Sequence, residues 1–228
     1  MRYTTLLFDL DNTLMDFSAN EADSLNKLFS HHGYALSDEL LSAYHTVNRQ
    51  LWSDYENGSI LLDDVVYSRF SKTMSGIGQT VDGVAWETMY RELLGNGYQL
   101  MEGALELCSR LSATHRMFIV TNGLTQTQIR RMQQSGLYEY FEDIFTSQNI
   151  GFQKPSKEFF EHVMTQIEDF DKSKALVIGD SFATDIKGGI QAGIDTCWIN
   201  LHSQKSPQDM HSTYTVATLA EVYDICVQ

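Results

Sequence analysis

Four apolar runs, each closed by polar residues, constrain the fold of this chain more than any other feature. They lie in the stretches TTLLFDLD, RMFIVTNG, KALVIGDS and DTCWIN. Each run holds about four to six apolar or β-branched residues without alternation, which is typical of strands buried on both faces. Strands of this kind pair in parallel sheets covered by helices on both sides.

Helical patterns lie between these runs. The stretch LTQTQIRRMQQSGL has the spacing of a helix that stops at Gly136. SKEFFEHVMTQIEDF begins with Ser156 as an N-cap, and ATDIKGGIQAGI is a short helix closed by Gly193. The alternation of strands and helices predicts an α/β fold with a doubly wound parallel sheet.

Residues 16–95 interrupt this rhythm, because they contain helical patterns and no buried strand. The first pattern has apolar side chains at a spacing of 3.6 residues: Leu36, Leu40, Leu41, Tyr44, Val47, Leu51 and Tyr55. LLDDVVYSRFSKTM and VAWETMYRELL supply two further helices. We therefore predict a core made of residues 1–15 and 96–228, with an all-helical cap domain at 16–95 inserted after the first strand.

Charge and cysteine usage exclude several classes of protein. The formal net charge is −14, from 16 basic and 30 acidic residues, and such a surface repels nucleic-acid polymers. No apolar window is long enough to span a membrane. The three cysteines are far apart and form no metal-binding spacing. We expect a soluble cytoplasmic protein, a monomer or homodimer, with no nucleic-acid or membrane partner.

Polar side chains follow three of the four predicted strands. They are Asp9 and Asp11 after the first, Thr121 and Asn122 after the second, and Asp180 and Asp185 after the third. Because ligands bind beyond the carboxyl ends of parallel strands, we expect these groups to converge. Lys154, in the loop GFQKPS, is a further candidate.

This set of side chains suits a phosphoryl group held beside a metal ion. Carboxylates and carbonyl oxygens are the ligands that Mg²⁺ prefers, and a hydroxyl, an amide and an ammonium group suit phosphate. Asp9 and Asp11 are two residues apart, so one can attack phosphorus while the other moves a proton. A calcium-binding EF-hand loop is excluded, since Leu14 and Asn20 stand where it needs Gly and Glu.

The motifs DLDNTL, TNG, QKP and GDSFATD resemble, in this order, the four motifs of the haloacid dehalogenase superfamily. The resemblance spans nearly the whole chain. It implies a Rossmann-like core, a helical cap inserted after the first motif, Mg²⁺ as cofactor and an aspartyl-phosphate intermediate. It also implies that Asp9 is the nucleophile and a metal ligand. Asp11 would be the general acid and then the base, and its backbone carbonyl would bind the metal.

The remaining motif residues receive supporting roles from the same resemblance. Thr121 and Asn122 would hold the phosphoryl oxygens. Lys154 would neutralise the nucleophile and the phosphate. Asp180 would bind the metal directly, and Asp185 would support the site from behind the metal ligands.

Further residues narrow the resemblance to one branch. Asp11 resembles the acid of phosphatases and mutases, which dehalogenases generally lack. VNRQLWSDYENGSI, GFQKP and DIKGGIQAGIDTCWIN look like the nucleoside 5′-monophosphatases that act on pyrimidine nucleotides. We therefore expect a Mg²⁺-dependent phosphomonoesterase whose partner is a small phosphorylated metabolite, a nucleotide such as dTMP or UMP. The alternatives are a phosphatase of sugar phosphates, a phosphomutase that uses the same carboxylates, and a non-catalytic phosphate-binding protein.

Overall fold

The computed structural model describes residues 2–228 and contains a sheet of six parallel strands. The strands are β1 (Thr5–Phe8), β2 (Arg116–Thr121), β3 (Asp143–Thr146), β4 (Ala175–Gly179), β5 (Asp195–Ile199) and β6 (Tyr214–Val216). Their order is β3-β2-β1-β4-β5-β6, so the chain winds outward from β1 in both directions. The neighbouring pairs are all parallel, which confirms the doubly wound α/β class.

Ten α-helices accompany the sheet in the described part of the chain. They are α1 (Phe17–His31), α2 (Asp38–Glu56), α3 (Leu62–Ser75), α4 (Gly83–Gly95), α5 (Ala104–Leu111), α6 (Thr125–Ser135), α7 (Ser147–Ile150), α8 (Lys157–Gln166), α9 (Lys187–Ala192) and α10 (Leu219–Val227). The chain divides into two compact units, residues up to Phe17 with Tyr98–Gln228, and Ser18–Gly97. The second unit is the inserted helical segment, and its bounds lie two residues beyond the predicted 16–95.

Both faces of the sheet are covered by helices, which explains the apolar runs. Leu6 and Phe8 of β1 pack into a cluster with side chains of α5, α6 and α10. Leu7, which points to the opposite face, packs into a second cluster with α8 and α9. Successive residues of a strand point to opposite faces, so a strand between two helical layers needs apolar side chains at every position.

Strands β3 and β6, which lie at the two edges of the sheet, were not predicted from the sequence. The side chains of β3 run from exposed Asp143 to buried Phe145, and β6 has only three residues. An edge strand is covered less completely than a central one, so its sequence lacks a continuous apolar run. Helices α1, α5, α7 and α10 were also not predicted individually.

The three predicted helix boundaries, at Gly136, Ser156 and Gly193, are confirmed. Gly136 follows α6 in a left-handed conformation with φ 77°, and the Ser156 hydroxyl accepts the Phe159 N–H at 3.3 Å at the start of α8. Gly193 ends α9 as predicted, with φ 72°. That helix, however, begins only at Lys187, because residues Phe182–Ile186 form a wider π-helical turn.

The helical unit Ser18–Gly97 contains a buried ion pair at its centre. Arg69 and Glu87 form two hydrogen bonds of 2.8 Å, and Arg91 donates a third to Glu87 at 2.8 Å. Asn48 also accepts a hydrogen bond from Arg69, at 3.4 Å. Each side chain of the pair is at most 4% exposed. Among residues 2–228, no helix is both long and apolar enough to cross a membrane.

Candidate active site

Asp9 continues β1 by one residue, and its backbone N–H donates to Ile178 at 2.8 Å. The chain then turns sharply, because Asn12 has a left-handed φ of 59° and its N–H donates to the Met15 carbonyl at 2.7 Å. Asn is one of the few residues with a side chain that adopt this conformation readily. The turn leaves Asp9 and Asp11 at the carboxyl end of the central strand, as predicted.

Lys154 joins three strand ends through its ammonium group. Its Nζ donates to Asp9 at 2.7 Å, to Asp185 at 2.6 Å and to the Val120 carbonyl at 2.8 Å. The side chain is 2% exposed, so the lysine that the sequence placed in a loop points into the protein. Burial acts to lower its pKa, but the carboxylates of Asp185 and Asp9 outweigh burial and raise the pKa above its ordinary value.

Asp180 and Asp185 follow β4, and each has a defined set of partners. Asp180 accepts the Thr13 hydroxyl at 3.3 Å and donates its own N–H to the Thr13 oxygen at 3.1 Å. Asp185 is fully buried and accepts both the Lys154 ammonium and the Ser181 N–H at 3.1 Å. Gly179 makes room for Asp185, since a Cβ at this position would lie 2.2 Å from the carboxylate.

Three carboxylates share this small volume. One oxygen each of Asp9, Asp180 and Asp185 lies within 4.8 Å of the others. Burial raises the pKa of Asp9 well above its ordinary value, Lys154 opposes this, and the neighbouring carboxylates add to it. Burial and then Asp185 raise the pKa of Asp180 to about 7. A donor set of hard oxygen atoms with excess negative charge fits Mg²⁺.

Thr121 ends β2 with its hydroxyl oxygen already accepting two hydrogen bonds. The donors are the Gly123 N–H at 3.0 Å and the Gln128 amide at 3.1 Å. Because both bonds are accepted, the hydroxyl hydrogen is left to donate elsewhere. A phosphoryl oxygen is a suitable acceptor for it.

The side chain of Asn122 is occupied by the backbone of Lys154. Its Oδ1 accepts the Lys154 N–H at 2.8 Å, and its Nδ2 donates to the Lys154 carbonyl at 3.0 Å. These paired bonds fix the loop that carries the lysine. The resemblance of the TNG motif predicts that Asn122 holds a phosphoryl oxygen. The structure shows that its side chain also fixes the backbone of Lys154.

Asp11 is held by two residues of α6 that the sequence analysis did not select. Arg131 Nη1 donates to Asp11 Oδ1 at 2.5 Å, and Gln128 Nε2 donates to Asp11 Oδ2 at 2.7 Å. One signal could have revealed them. The helical spacing places Gln128 and Arg131 beside the core residue Met132, where a charged side chain needs a buried partner. Thr13, inside the first motif, was missed as well.

A model of the haloacid dehalogenase-like hydrolases matches residues 3–193 of this chain. The chain belongs to this family of hydrolases. The family membership confirms the resemblance that the four motifs indicated, and it confirms that the chain is an enzyme. The presence of Lys154 and the three carboxylates at adjoining strand ends agrees with it.

Curated members of the family match over nearly the whole chain. The HAD-hydrolase YfnB of Bacillus subtilis is 43% identical over 98% of this chain and 95% of YfnB. A crystal structure of YfnB bound to magnesium covers 100% of both chains with a TM-score of 0.95 and 42% identity.

Two relatives are named pyrimidine 5′-nucleotidases. PynA of Streptococcus pneumoniae is 38% identical, over 98% of this chain and 95% of PynA. YjjG of Escherichia coli is 30% identical, over 97% of each chain.

Proposed function

We propose that this chain is a Mg²⁺-dependent phosphomonoesterase that hydrolyses nucleoside 5′-monophosphates, with pyrimidine nucleotides preferred. The main support is the buried Asp9 carboxylate, which contacts the Lys154 ammonium at 2.7 Å within a cluster of three carboxylates. A carboxylate held in this way is oriented for attack, and the ammonium is available to balance the charge that a phosphate brings.

In the first step, an oxygen of Asp9 forms a bond to phosphorus while the bond between phosphorus and the ester oxygen breaks. The Thr121 hydroxyl and the backbone N–H of Asn122 hold phosphoryl oxygens, and the Lys154 ammonium, whose three hydrogens are already donated, balances the negative charge from beside Asp9. Asp11 gives its proton to the departing ester oxygen, so the nucleoside leaves as a neutral alcohol.

In the second step, water attacks the phosphorus of the aspartyl-phosphate and Asp11 takes the proton from that water. The bond between Asp9 and phosphorus breaks, which restores the free carboxylate and releases inorganic phosphate. The enzyme thereby returns to its starting protonation state.

The metal is assigned to the oxygen atoms that are not already used by neighbouring groups. Asp185 has both oxygens bonded, to Lys154 and to the Ser181 N–H. Asp9, Asp180 and the backbone carbonyl of Asp11 would therefore hold Mg²⁺, while Asp185 fixes the lysine. When bound, Mg²⁺ would neutralise charge on the phosphoryl oxygens.

The choice of substrate rests on the relatives and on the helical insert. PynA and YjjG are named pyrimidine 5′-nucleotidases and match over both units of this chain. We propose that the helical unit Ser18–Gly97 selects the leaving group, as a cap domain. The expected location is the cytoplasm.

The test is phosphate release from a panel of monophosphates that contains pyrimidine nucleotides, purine nucleotides and sugar phosphates, first with Mg²⁺ and then with excess EDTA. EDTA-sensitive hydrolysis of UMP or dTMP ahead of the other compounds is the expected result. Faster hydrolysis of sugar phosphates would overturn the nucleotide assignment. Activation by a bisphosphorylated sugar, with phosphate transferred rather than released, would identify a mutase.

A further inference from the structure

Two buried residues of α6 hold the carboxylate of Asp11, whose role in proton transfer is part of the proposed function. Both oxygens of this carboxylate are bound from α6, one by Arg131 and the other by Gln128. The two residues are also joined to each other, because Arg131 Nη1 donates to Gln128 Oε1 at 2.9 Å. Arg131, Gln128 and Asp11 thus form a closed ring of hydrogen bonds.

Burial distinguishes the holding residues from the residue that they hold. Arg131 and Gln128 are each 1% exposed, whereas the Asp11 side chain is 27% exposed. A substrate can therefore reach the carboxylate but not the guanidinium or the amide. The two buried side chains act on the reaction only through Asp11 and Thr121.

Burial of the Arg131 guanidinium lowers the stability of the folded state, and a residue that served folding alone would not need a charged group here. Arg131 Nε and Nη2 are buried without a hydrogen-bond partner among the described residues. Each such group loses the hydrogen bonds that water supplies in the unfolded chain, which destabilises the folded state. The ring of Phe17, whose centre is 5.5 Å from the guanidinium carbon, offsets part of this cost. An apolar side chain would fill the same space without the penalty.

Gly123 and Thr121 both lie against the side-chain amide of Gln128. A Cβ at Gly123 would lie 2.3 Å from Gln128 Nε2, so the glycine of the TNG motif lets the amide pass. The same amide nitrogen donates its second hydrogen to Thr121 Oγ1 at 3.1 Å. Thr121 Oγ1 also accepts the Gly123 N–H at 3.0 Å and keeps that donor when Gln128 is replaced, so the main effect of Gln128 is on Asp11.

We propose that Gln128 and Arg131 are positioning residues that hold the Asp11 carboxyl group in the orientation needed for proton transfer to the leaving oxygen. In the first step the bond from Asp9 to phosphorus forms, the bond from phosphorus to the ester oxygen breaks, and the Asp11 proton moves to that oxygen. Loss of either positioning residue leaves Asp9 able to attack but leaves the proton misdirected.

Because these residues direct only the proton, their loss should slow the reaction of a poor leaving group more than the reaction of a good one. A nucleoside is a poor leaving group and needs the proton, whereas p-nitrophenolate leaves without one. We expect Arg131→Met and Gln128→Met to lower kcat for UMP by about 10²-fold, with KM little changed. The initial burst of p-nitrophenolate from p-nitrophenyl phosphate, which reports attack by Asp9, should stay within about threefold of wild type.

Matched controls separate this effect from general damage. Gln134→Ala and Arg130→Ala alter exposed side chains of the same helix, and neither should change the UMP rate. Arg131→Lys keeps the charge and should restore part of the rate. Gly123→Ala forces Gln128 away by steric conflict alone, so it should give the same split even if Arg131→Met fails to fold.

The outcomes distinguish this inference from the proposed function. Equal losses on both substrates, or no loss on UMP, would overturn the positioning role. If Asp11→Asn shows the split and the Gln128 and Arg131 variants do not, the phosphatase assignment stands and only the positioning role is wrong. If the wild-type enzyme releases phosphate from no compound, the proposed function fails and the positioning role falls with it.

Discussion

Two buried clusters of charged residues, one in each unit of the chain, differ in how their charges are balanced. In the helical unit, Glu87 is bonded by both Arg69 and Arg91, so the carboxylate has more positive neighbours than it needs. In the sheet unit, the single ammonium of Lys154 faces several carboxylates. The first cluster is complete as it stands. The second carries an excess of carboxylates, which a bound cation would balance, in agreement with the proposed metal site.

The difference shows how function can be recognised in buried charge. Removing ions from water costs several kcal/mol per ion, so a cluster that serves only stability has to satisfy every charge. The helical cluster meets that condition, because buried Arg69 and Glu87 neutralise each other and the Arg91 side chain is 29% exposed to water. The sheet cluster does not meet it, and the raised pKa values of Asp9 and Asp180 express the same imbalance.

The largest expected effect separates activity from stability in the sheet cluster. Asp9→Asn removes the proposed nucleophile and should lower phosphate release by about 10⁴-fold or more. The amide keeps an oxygen for Lys154 and relieves repulsion, so thermal stability should not fall. A melting curve measured beside the activity assay checks both parts. Turnover within tenfold of wild type would contradict the role of Asp9.

The opposite behaviour is expected in the helical cluster. Arg69→Met leaves Glu87 buried with only Arg91, and breaking a buried pair on one side costs about 3–5 kcal/mol. Urea unfolding followed by circular dichroism measures this loss. The double variant Arg69→Met/Glu87→Met should recover much of it, because no charge is left unpaired. If Arg69→Met is as stable towards urea as the wild type, the Arg69–Glu87 pair does not stabilise this unit.

Metal addition should sharpen the contrast further. Mg²⁺ at about 100 times its Kd should stabilise the wild-type protein by about 2.7 kcal/mol, because the folded state alone presents the site. Asp180→Asn should abolish most of this gain while leaving the metal-free protein folded. Calorimetric melting with Mg²⁺ and with EDTA makes the measurement. An equal gain in the variant would remove Asp180 from the set of metal ligands.

The smallest effect concerns a titrating group in the helical unit. His32 stacks on Trp86 with ring centres 4.3 Å apart. Burial, and then the charge of His31, lower the pKa of His32 below its ordinary value. The unfolded state therefore binds the proton more readily, so stability is full above pH 6.5 and declines as the pH falls below it. Unfolding measured at pH 5 and 7.5 tests this, and His32→Phe should weaken the dependence.

The sequence predicted those parts of the fold and site that depend on continuous or repeated patterns. The central strands are apolar at every position because both faces are covered, and the polar groups that follow them are visible as interruptions. The edge strands β3 and β6 lack that coverage and carry no such run. The helical spacing could have marked Gln128 and Arg131 as buried, but it could not identify their partner, because Asp11 lies more than a hundred residues away.

Central β1 pairs with β2 and β4, whose residues begin at Arg116 and Ala175. A ribosome that adds about 5–20 residues per second therefore synthesises β2 about 5–20 seconds after β1, and β4 about 8–35 seconds after β1. The whole helical unit Ser18–Gly97 is synthesised within the first of these intervals. The order of the chain thus gives the inserted helical unit time to fold before β1 gains either of its neighbours in the sheet.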